Sequence, residues 1–327
     1  MTDGTHRSAS GPPRAGNGRD ARGMVLPFVA ALLPAAAWGV YQFGTPALAL
    51  LAAGVAGAAG TEVLADRLGG GAFCSRDRHG VLVGLVLAMM LPPGAPWWLA
   101  LVGGAAGILL GKLPFGPLGG SPFNPALVGL LIVAVSWPEH VGAWRQPRTA
   151  LAELKGDDVA PAEHPLDAVR IDPSDIIEYD AGTLFLGRQP GPVGGISPLL
   201  LLLGGLFLIW RRVIRWQAPA GFLLGVALAA GVAAALNPST GAPVWFHLAA
   251  GLAVFGAFFL CTDRPSTPVS PRGLFAFALG AGVLAVALRT GDLHFGSVPW
   301  AIAIASLATP LVDRLVPPAR GKAPGNA

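Results

Sequence analysis

The residues that could do chemistry are few, and they interrupt otherwise apolar sequence. Asn124 lies in the stretch GGSPFNPALVG, Glu62 and Asn237 lie near the ends of apolar runs, and Thr262 and Asp263 end another. Polar and ionisable groups inside a membrane cost free energy, so such positions are candidates for binding sites. The sequence shows no nucleotide-binding loop, metal-ligand cluster or nucleophile with a matching base. We therefore expect these residues to bind a ligand and not to form a self-contained catalytic centre.

Asn124 admits two interpretations. The prolines at 122 and 125 suit the first turn of a helix, where a missing N–H has no cost, and an asparagine before that turn can cap it. Alternatively, the free N–H groups of this helix start face a polar or anionic ligand. Both interpretations predict a helix that begins inside the protein.

Glu62 and Asp263 also admit two interpretations. Each is followed closely by an arginine, Arg67 and Arg264 respectively, so each could form an ordinary ion pair at the membrane interface. The alternative is that these carboxylates belong to an intramembrane site.

The composition identifies the class of protein. Of 327 residues, 53% are hydrophobic and only 12% charged, which predicts an integral membrane protein. The formal net charge is +4, but the basic residues lie at the ends of apolar runs, so we expect no nucleic-acid binding. Cys74 and Cys261 are far apart and form no metal-ligand motif, so we expect packed thiols rather than a redox site.

The apolar runs predict an all-α polytopic membrane protein with about ten transmembrane helices as two inverted repeats of five. An odd number of helices in each half starts the second half on the opposite side of the membrane, which requires inversion if the halves are related. The third and fifth runs are short and could be half-helices. The expected helices lie near 24–42, 45–65, 79–92, 96–112, 123–137, 197–214, 218–236, 245–261, 273–289 and 297–313.

Charge alternation sets the expected orientation. Basic residues fall on alternate connections, which places both termini in the cytoplasm; Arg289, with Asp292 nearby, is the exception. An acidic external region follows the first five helices, and its segment AEHPLDAVRIDPSD is expected to be mostly loop because of its prolines. The predicted division is a disordered tail at 1–22, a first repeat at 23–137, the external region at 138–196, a second repeat at 197–315 and a tail at 316–327.

Six phrases, taken together and in order, resemble one family. The chain is similar to the RnfD membrane subunit of Rnf-type electron-transport complexes, whose sister family is the NqrB subunit of the sodium-pumping NADH:quinone reductase. The likeness runs from about Met24 to Leu315 and implies ten helices in two inverted repeats. The phrases are LLPAAAWGVYQFG, GLVLAMMLPPGAPWWLA, GILLGKLPFGPLGGSPFNPALVG, FLGRQPGPVGGIS, GGLFLIWRRVIRW and FGAFFLCTDRPSTPVSPRG.

The resemblance implies a non-autonomous subunit of a flavin-dependent complex in the bacterial inner membrane. Such a subunit passes electrons through bound flavin, while its complex, with the other Rnf-type subunits, moves Na⁺ or H⁺ across the lipid bilayer. The implied cofactor is FMN, with riboflavin as a second candidate. The expected cofactor-binding residues, apart from the attachment site, are Asn124, Gly187, Gly191, Gly194, Thr262 and Asp263.

Two departures from the family pattern lie in the external region. The family attaches FMN to a threonine in a stretch such as SGATPL; here the text is RQPRTALAELK, which aligns Thr149 with that threonine. Thr183 is a weaker alternative by position. Gly195 stands where the family usually has glutamate. These departures keep two other functions open: a flavin-free channel or small-solute transporter of the same fold, and a scaffold subunit that has lost its covalent flavin.

Overall fold

The computed structural model describes residues 18–69, 79–115, 121–148, 162–171, 180–236, 242–263, 266–291 and 296–317. Its regular elements are helices. Five residues singled out in the sequence lie outside the described part of the chain: Cys74, Thr149, Asn237, Arg264 and Asp292.

Among the described residues, the first half of the chain contributes five apolar helices and three short helices of the connecting region. The five are α1 (Gly18–Phe43), α2 (Thr45–Leu68), α3 (His79–Met90), α4 (Trp97–Gly111) and α5 (Pro125–Ser136). The short ones are α6 (Pro138–Val141), α7 (Pro165–Ile171) and α8 (Ala181–Leu186).

The described residues of the second half form long and short helices, and a break separates α11 from α12. Its elements are α9 (Pro198–Trp210), α10 (Gln217–Leu236), α11 (Val244–Ala249), α12 (Ala253–Phe255), α13 (Pro271–Thr290), α14 (Ser297–Leu307) and α15 (Thr309–Leu315). A π-helical turn, Gly256–Leu260, continues α12.

The chain is a multi-pass membrane protein. Within the described residues, α1 from Met24, α2, the stretch Trp97–Phe115, α10 and α13 are long and apolar enough to cross a bilayer. Helices α14 and α15 are apolar enough only when taken together, and the bend of 51° between them fits either a broken span or a re-entrant loop. Helices α3, α5 and α9 are apolar but shorter. The expectation that the third and fifth runs are short is confirmed, since each helix has 12 residues.

Small residues set the packing within each half. Helix α2 packs on α3 and α4, and helix α10 packs on α13 in the other half. A methyl group at Gly57 would overlap the Leu101 carbonyl oxygen, and one at Gly225 would overlap the Leu279 carbonyl oxygen. Such close backbone approach is how membrane helices gain contact energy when lipid and protein are equally apolar. Helices α1 and α9 join the halves.

The expected single helix at 245–261 is wrong. Helix α11 ends at Ala249, Gly251 takes the left-handed conformation with φ of 70°, and α12 begins at Ala253. Glycine adopts that conformation without steric cost, so the apolar run continues while its helix does not.

The expectation of loop at 162–175 is wrong in part. Helix α7 begins at Pro165, and the Leu166 N–H donates to His164 Nδ1 at 3.2 Å. Proline is favourable in the first turn of a helix, so this proline starts a helix where it was expected to prevent one.

Candidate functional site

A buried loop at residues 187–196 lies between the two halves. It connects α8 to α9, and residues 189–196 are all buried. Two side chains of α1, Trp38 through Nε1 and Gln42 through Nε2, donate to the Gly187 carbonyl oxygen at 3.3 Å each. Buried non-helical backbone needs hydrogen-bond partners from elsewhere in the protein, and these two donors provide part of them.

The same loop pairs with the end of α3. The Val193 N–H donates to the Leu91 carbonyl at 3.0 Å, and the Gly194 N–H donates to the Met89 carbonyl at 2.8 Å. The accepting carbonyls lie where α3 ends and its own helical donors run out. The loop therefore substitutes for the next turn of that helix.

Two glycines of the loop pack tightly against neighbouring side chains. A methyl group at Gly194 would overlap the Met89 side chain, and one at Gly195 would lie 2.6 Å from Leu252 Cδ2. Gly187 ends α8 in the left-handed conformation, with φ of 78°. Of the two uses expected for these glycines, approach to a flavin and approach to neighbouring protein, the described contacts account for the second.

One side-chain polar atom of the loop has no hydrogen-bond partner among the described residues. Gln189 is 4% exposed, and among the described residues its Oε1 has no hydrogen-bond donor. A buried acceptor without a donor costs free energy on the order of 1–3 kcal/mol. Gln189 is thus the described residue of this loop best suited to receive an N–H or O–H of a bound molecule.

Asn124 caps α5. Its Oδ1 accepts from the Ala126 N–H at 2.9 Å, and the residue is 8% exposed. Ser121 Oγ donates to the Gly111 carbonyl at 2.6 Å, which ties the helix start to the end of α4. The described contacts therefore support the capping interpretation.

Thr262 and Asp263 follow the π-helical turn. The Thr262 hydroxyl donates to the Phe258 carbonyl at 2.7 Å, and Ser266 Oγ approaches Asp263 Oδ2 at 3.4 Å. Asp263 lies in the connection before α13, where desolvation raises the pKa of its carboxyl to about 7. This carboxyl can therefore change its protonation state near neutral pH.

Glu62 forms a buried ion pair, but not with the partner expected. Its Oε1 binds Lys112 Nζ at the end of α4, and its Oε2 accepts from the Gly80 N–H at 2.8 Å. Arg67 is exposed. Of the two interpretations of Glu62, the ion pair with Arg67 is therefore wrong in its partner, because position 62 of α2 turns inward while position 67 turns outward.

Arg289 binds backbone instead of a carboxylate in the described structure. Its guanidinium donates to the His247 carbonyl at 2.7 Å, the Ala250 carbonyl at 3.4 Å and Ser297 Oγ at 3.1 Å. These two carbonyls can accept hydrogen bonds from Arg289 because α11 ends there. A helix C-terminus carries partial negative charge, so it is a favourable place for a cation.

The predicted site residues fall into separate places. Gly187, Gly191 and Gly194 share the buried loop, Asn124 caps α5, and Thr262 and Asp263 follow the π-helical turn. The sequence did not identify Gln42 or Gln189 as site candidates. Gln42 could have been found from the sequence, because a glutamine is unusual within the apolar helix α1. Gln189 could not, because a glutamine in a loop is ordinary.

Comparison with known sequences gives one consistent family. The profile of the NQR2, RnfD, RnfE family matches residues 8–322. That match covers both halves, the buried loop and the two buried basic residues at helix ends, Lys112 and Arg289.

Individual relatives are similar over most of their length. The D-type subunit of a proton-translocating ferredoxin:NAD(+) oxidoreductase complex from Clostridium ljungdahlii is 33% identical over 298 residues, covering 89% of this chain and 88% of the relative. The D-type subunit of an ion-translocating oxidoreductase complex from Halorhodospira halophila is 35% identical, with 88% of each covered. The corresponding subunit of a Na(+)-translocating ferredoxin:NAD(+) oxidoreductase complex from Acetobacterium woodii is 33% identical, covering 88% and 86%.

Proposed function

The chain belongs to the NQR2, RnfD, RnfE family, and we propose that it is the RnfD-type membrane subunit of an ion-translocating oxidoreductase complex. The observation that carries this proposal is the similarity to D-type subunits along nearly the whole chain. These relatives are named for Na⁺ or for proton translocation, so the proposed complex moves one of these ions. Its activity belongs to the assembled complex in the bacterial plasma membrane.

The proposed topology is ten crossings in two inverted repeats of five, with both termini in the cytoplasm. Support comes from the long apolar helices, the bent pair α14 and α15, the shorter helices α3, α5 and α9, and the broken segment from α11 to the π-helical turn. Similar glycine crossings in the two halves also support the repeat. Reporter fusions after the N- and C-terminal tails should both report the cytoplasm; a periplasmic signal at one of them would contradict an even number of crossings.

The proposed cofactor is a flavin, FMN attached at Thr149 or a non-covalent riboflavin. The buried loop fits such a group in one respect, since Gln189 Oε1 can accept from a ring N–H. When bound, a flavin would accept electrons and pass them on. Trp38 and Gln42 would hold the loop in place, and the burial of residues 189–196 would exclude water from it.

The subunit assignment is tested by deleting this chain from its host. Membranes without it should lose ion-coupled electron transfer, and the full-length tagged chain should restore the activity and co-purify with the other subunits. Purification of the restored chain without partners, together with unchanged activity in the deletion, would overturn the assignment.

The flavin assignment is tested on a denaturing gel. The chain, co-expressed with the matching flavin transferase, should give a band that fluoresces under ultraviolet light. Thr149→Ala should abolish the fluorescence, and Thr183→Ala, the matched control, should keep it. A dark wild-type band removes Thr149 from the site, and loss of fluorescence only in Thr183→Ala moves the attachment to that residue.

A flavin-free role is the second candidate function. The observation in its favour is that Met89 and Leu252 fill the space beside the loop glycines, while Asn124 caps its own helix. As a scaffold subunit, the chain would co-purify with its partners but release no flavin on denaturation. As a channel or small-solute transporter, it would support solute flux in liposomes without an electron donor.

A further inference from the structure

A short basic turn connects α9 to α10. Residues 210–216 read WRRVIRW, and the two tryptophans at its ends are 76% and 58% exposed. Arg211, Arg212 and Arg215 are all exposed, while Ile214 is buried and only 6% exposed. We call these seven residues the basic turn.

Each tryptophan extends an exposed apolar face. On α9, Leu203, Leu206 and Phe207 are exposed at spacings that place them on one helix face with Trp210. On α10, Leu224 and Leu228 follow Trp216 at helical spacing and are also exposed. Tryptophan prefers the level of the lipid headgroups, so the basic turn lies where two lipid-facing surfaces meet that level.

Arg212 has an unusual backbone conformation. Its φ is 57°, and it is the described non-glycine residue with positive φ. The Arg212 N–H donates to the Ile209 carbonyl and the Val213 N–H to the Leu208 carbonyl, both at 2.9 Å, which is the helix-ending arrangement that usually carries glycine here. An arginine at this point is strained relative to glycine, which is a reason to look for a function of its side chain.

The arginines are available to an anion. Among the described residues no carboxylate lies within ion-pair distance of any of the three. Arg215 Nη1 donates to the Val269 carbonyl at 2.6 Å, which fixes that side chain and leaves its other donors. Beside it lies a cavity of about 280 Å³, with apolar walls that include Val213, Ile214 and Leu274 and with the hydroxyl-bearing residues Thr262 and Thr267.

We propose that the basic turn binds the phosphodiester headgroup of an anionic phospholipid. The three arginines supply charge-assisted hydrogen bonds to the phosphate. The tryptophans fix the depth of the headgroup, and the cavity beside Arg215 accepts the glycerol and the first acyl carbons. A soluble anion needs no exposed tryptophans and no apolar cavity, so the observations favour a lipid.

The test measures lipid retention by the full-length chain. Protein purified in non-ionic detergent is given phosphatidylglycerol and phosphatidylcholine in equal amounts, and bound lipid is counted by native mass spectrometry. Wild type should retain phosphatidylglycerol preferentially. Arg212→Gly should weaken this retention about fivefold, since a basic residue near an anionic surface contributes on the order of 1 kcal/mol. Arg211→Gln should act similarly, and Arg212→Lys should keep most of the binding.

Stability separates binding from folding. In phosphatidylcholine, Arg212→Gly should unfold at the wild-type temperature or above it, because glycine relieves the left-handed strain. The matched control is Arg67→Gln, a surface arginine at the end of another helix, which should leave retention unchanged.

Four results would overturn the proposal. They are equal retention of both lipids by wild type, unchanged retention in both Arg212→Gly and Arg211→Gln, an equal loss in Arg67→Gln, and displacement of the lipid by inorganic phosphate at matched concentration. In membranes that hold the whole complex, a photoreactive phosphatidylglycerol should label the basic turn. Failure to label it there would assign this surface to a neighbouring subunit.

Discussion

Each half of the membrane domain contains a crossing in which a glycine meets a backbone carbonyl, but the described residues around the buried cation differ between the halves. In the first, Gly57 of α2 meets Leu101 of α4; in the second, Gly225 of α10 meets Leu279 of α13. Glu62 lies five residues beyond Gly57, and the corresponding position five residues beyond Gly225 is Ala230. Both crossings thus bring a glycine against a backbone carbonyl, but only the first has a carboxylate five residues farther along its helix.

The cation in each half lies at the end of the helix formed by the fourth predicted apolar run, which is α4 in the first half and α13 in the second. Lys112 follows α4 and pairs with Glu62, whereas Arg289, in the last turn of α13, binds the carbonyls of His247 and Ala250. The break between α11 and α12 is what frees those carbonyls. The difference teaches that a buried positive charge in this fold can be stabilised by a carboxylate or by an interrupted helix.

Removing Glu62 should have the largest effect on stability. Glu62→Ala leaves Lys112 buried without a counter-charge, which costs about 3–5 kcal/mol of unfolding free energy. The double variant Glu62→Leu with Lys112→Leu should recover most of the loss, because no charge remains buried. Denaturant unfolding of the purified chain measures both; a double variant as unstable as the single one would show that the pair is not the cause.

Removing Arg289 should cost less. Arg289→Met leaves two carbonyl acceptors without donors but also removes the buried charge, so we expect a loss of about 1.5–3 kcal/mol. Arg289→Lys should retain part of the stability, since an ammonium still reaches a carbonyl. The same unfolding assay applies, and a loss equal to that of Glu62→Ala would contradict the proposed difference between the halves.

Substituting the glycine at either helix crossing should lower the stability of the protein by a similar amount. Gly57→Ala and Gly225→Ala each force a methyl group against a backbone carbonyl, at a cost of about 1–3 kcal/mol. Gly60→Ala and Gly280→Ala are matched controls on helices in the same halves, with no atom within 4 Å of the added group. The controls should be neutral or slightly stabilising in thermal unfolding. Unequal losses at Gly57 and Gly225 would argue against a repeated crossing.

The smallest expected effect is a dependence of stability on pH that comes from one of two corresponding connections. The connection before α4, residues 91–96, has no ionisable side chain, whereas the one before α13 contains Asp263. Desolvation raises the pKa of that carboxyl from its ordinary value near 4 to about 7, so the folded state binds more protons than the unfolded state in that range. Stability should therefore fall as the pH rises from 4 to 7. Asp263→Asn should reduce that slope, and an unchanged slope would assign it to other groups.

The sequence predicted the apolar helices well because lipid imposes a length and a composition on each of them. It also predicted a helix start at Asn124, since proline and a capping side chain act locally. The break at Gly251 was missed because nothing in the sequence distinguishes that glycine from the many that merely permit packing. The partner of Glu62 was missed for a different reason: Lys112 is 50 residues away, and only the crossing of α2 with α4 brings them together.

The binding residues were less predictable than the helices. The glycines of the buried loop were found by resemblance, but their contacts with Met89 and Leu252 depend on how the halves meet. Gln189 gave no signal, since only burial makes an unpaired amide oxygen unusual. Ten membrane crossings, the inverted repeat and the flavin at Thr149 stay predictions.

The buried loop has a mechanical consequence. By chain connectivity it leads into α9 and so moves with the second half, yet its backbone donates to Met89 and Leu91 at the end of α3 in the first half. A rocking motion of one half against the other would have to break those two hydrogen bonds or carry α3 along. The loop thus links the end of α3 to the start of α9 through backbone hydrogen bonds, and a displacement of α3 that kept these bonds would also move the start of α9.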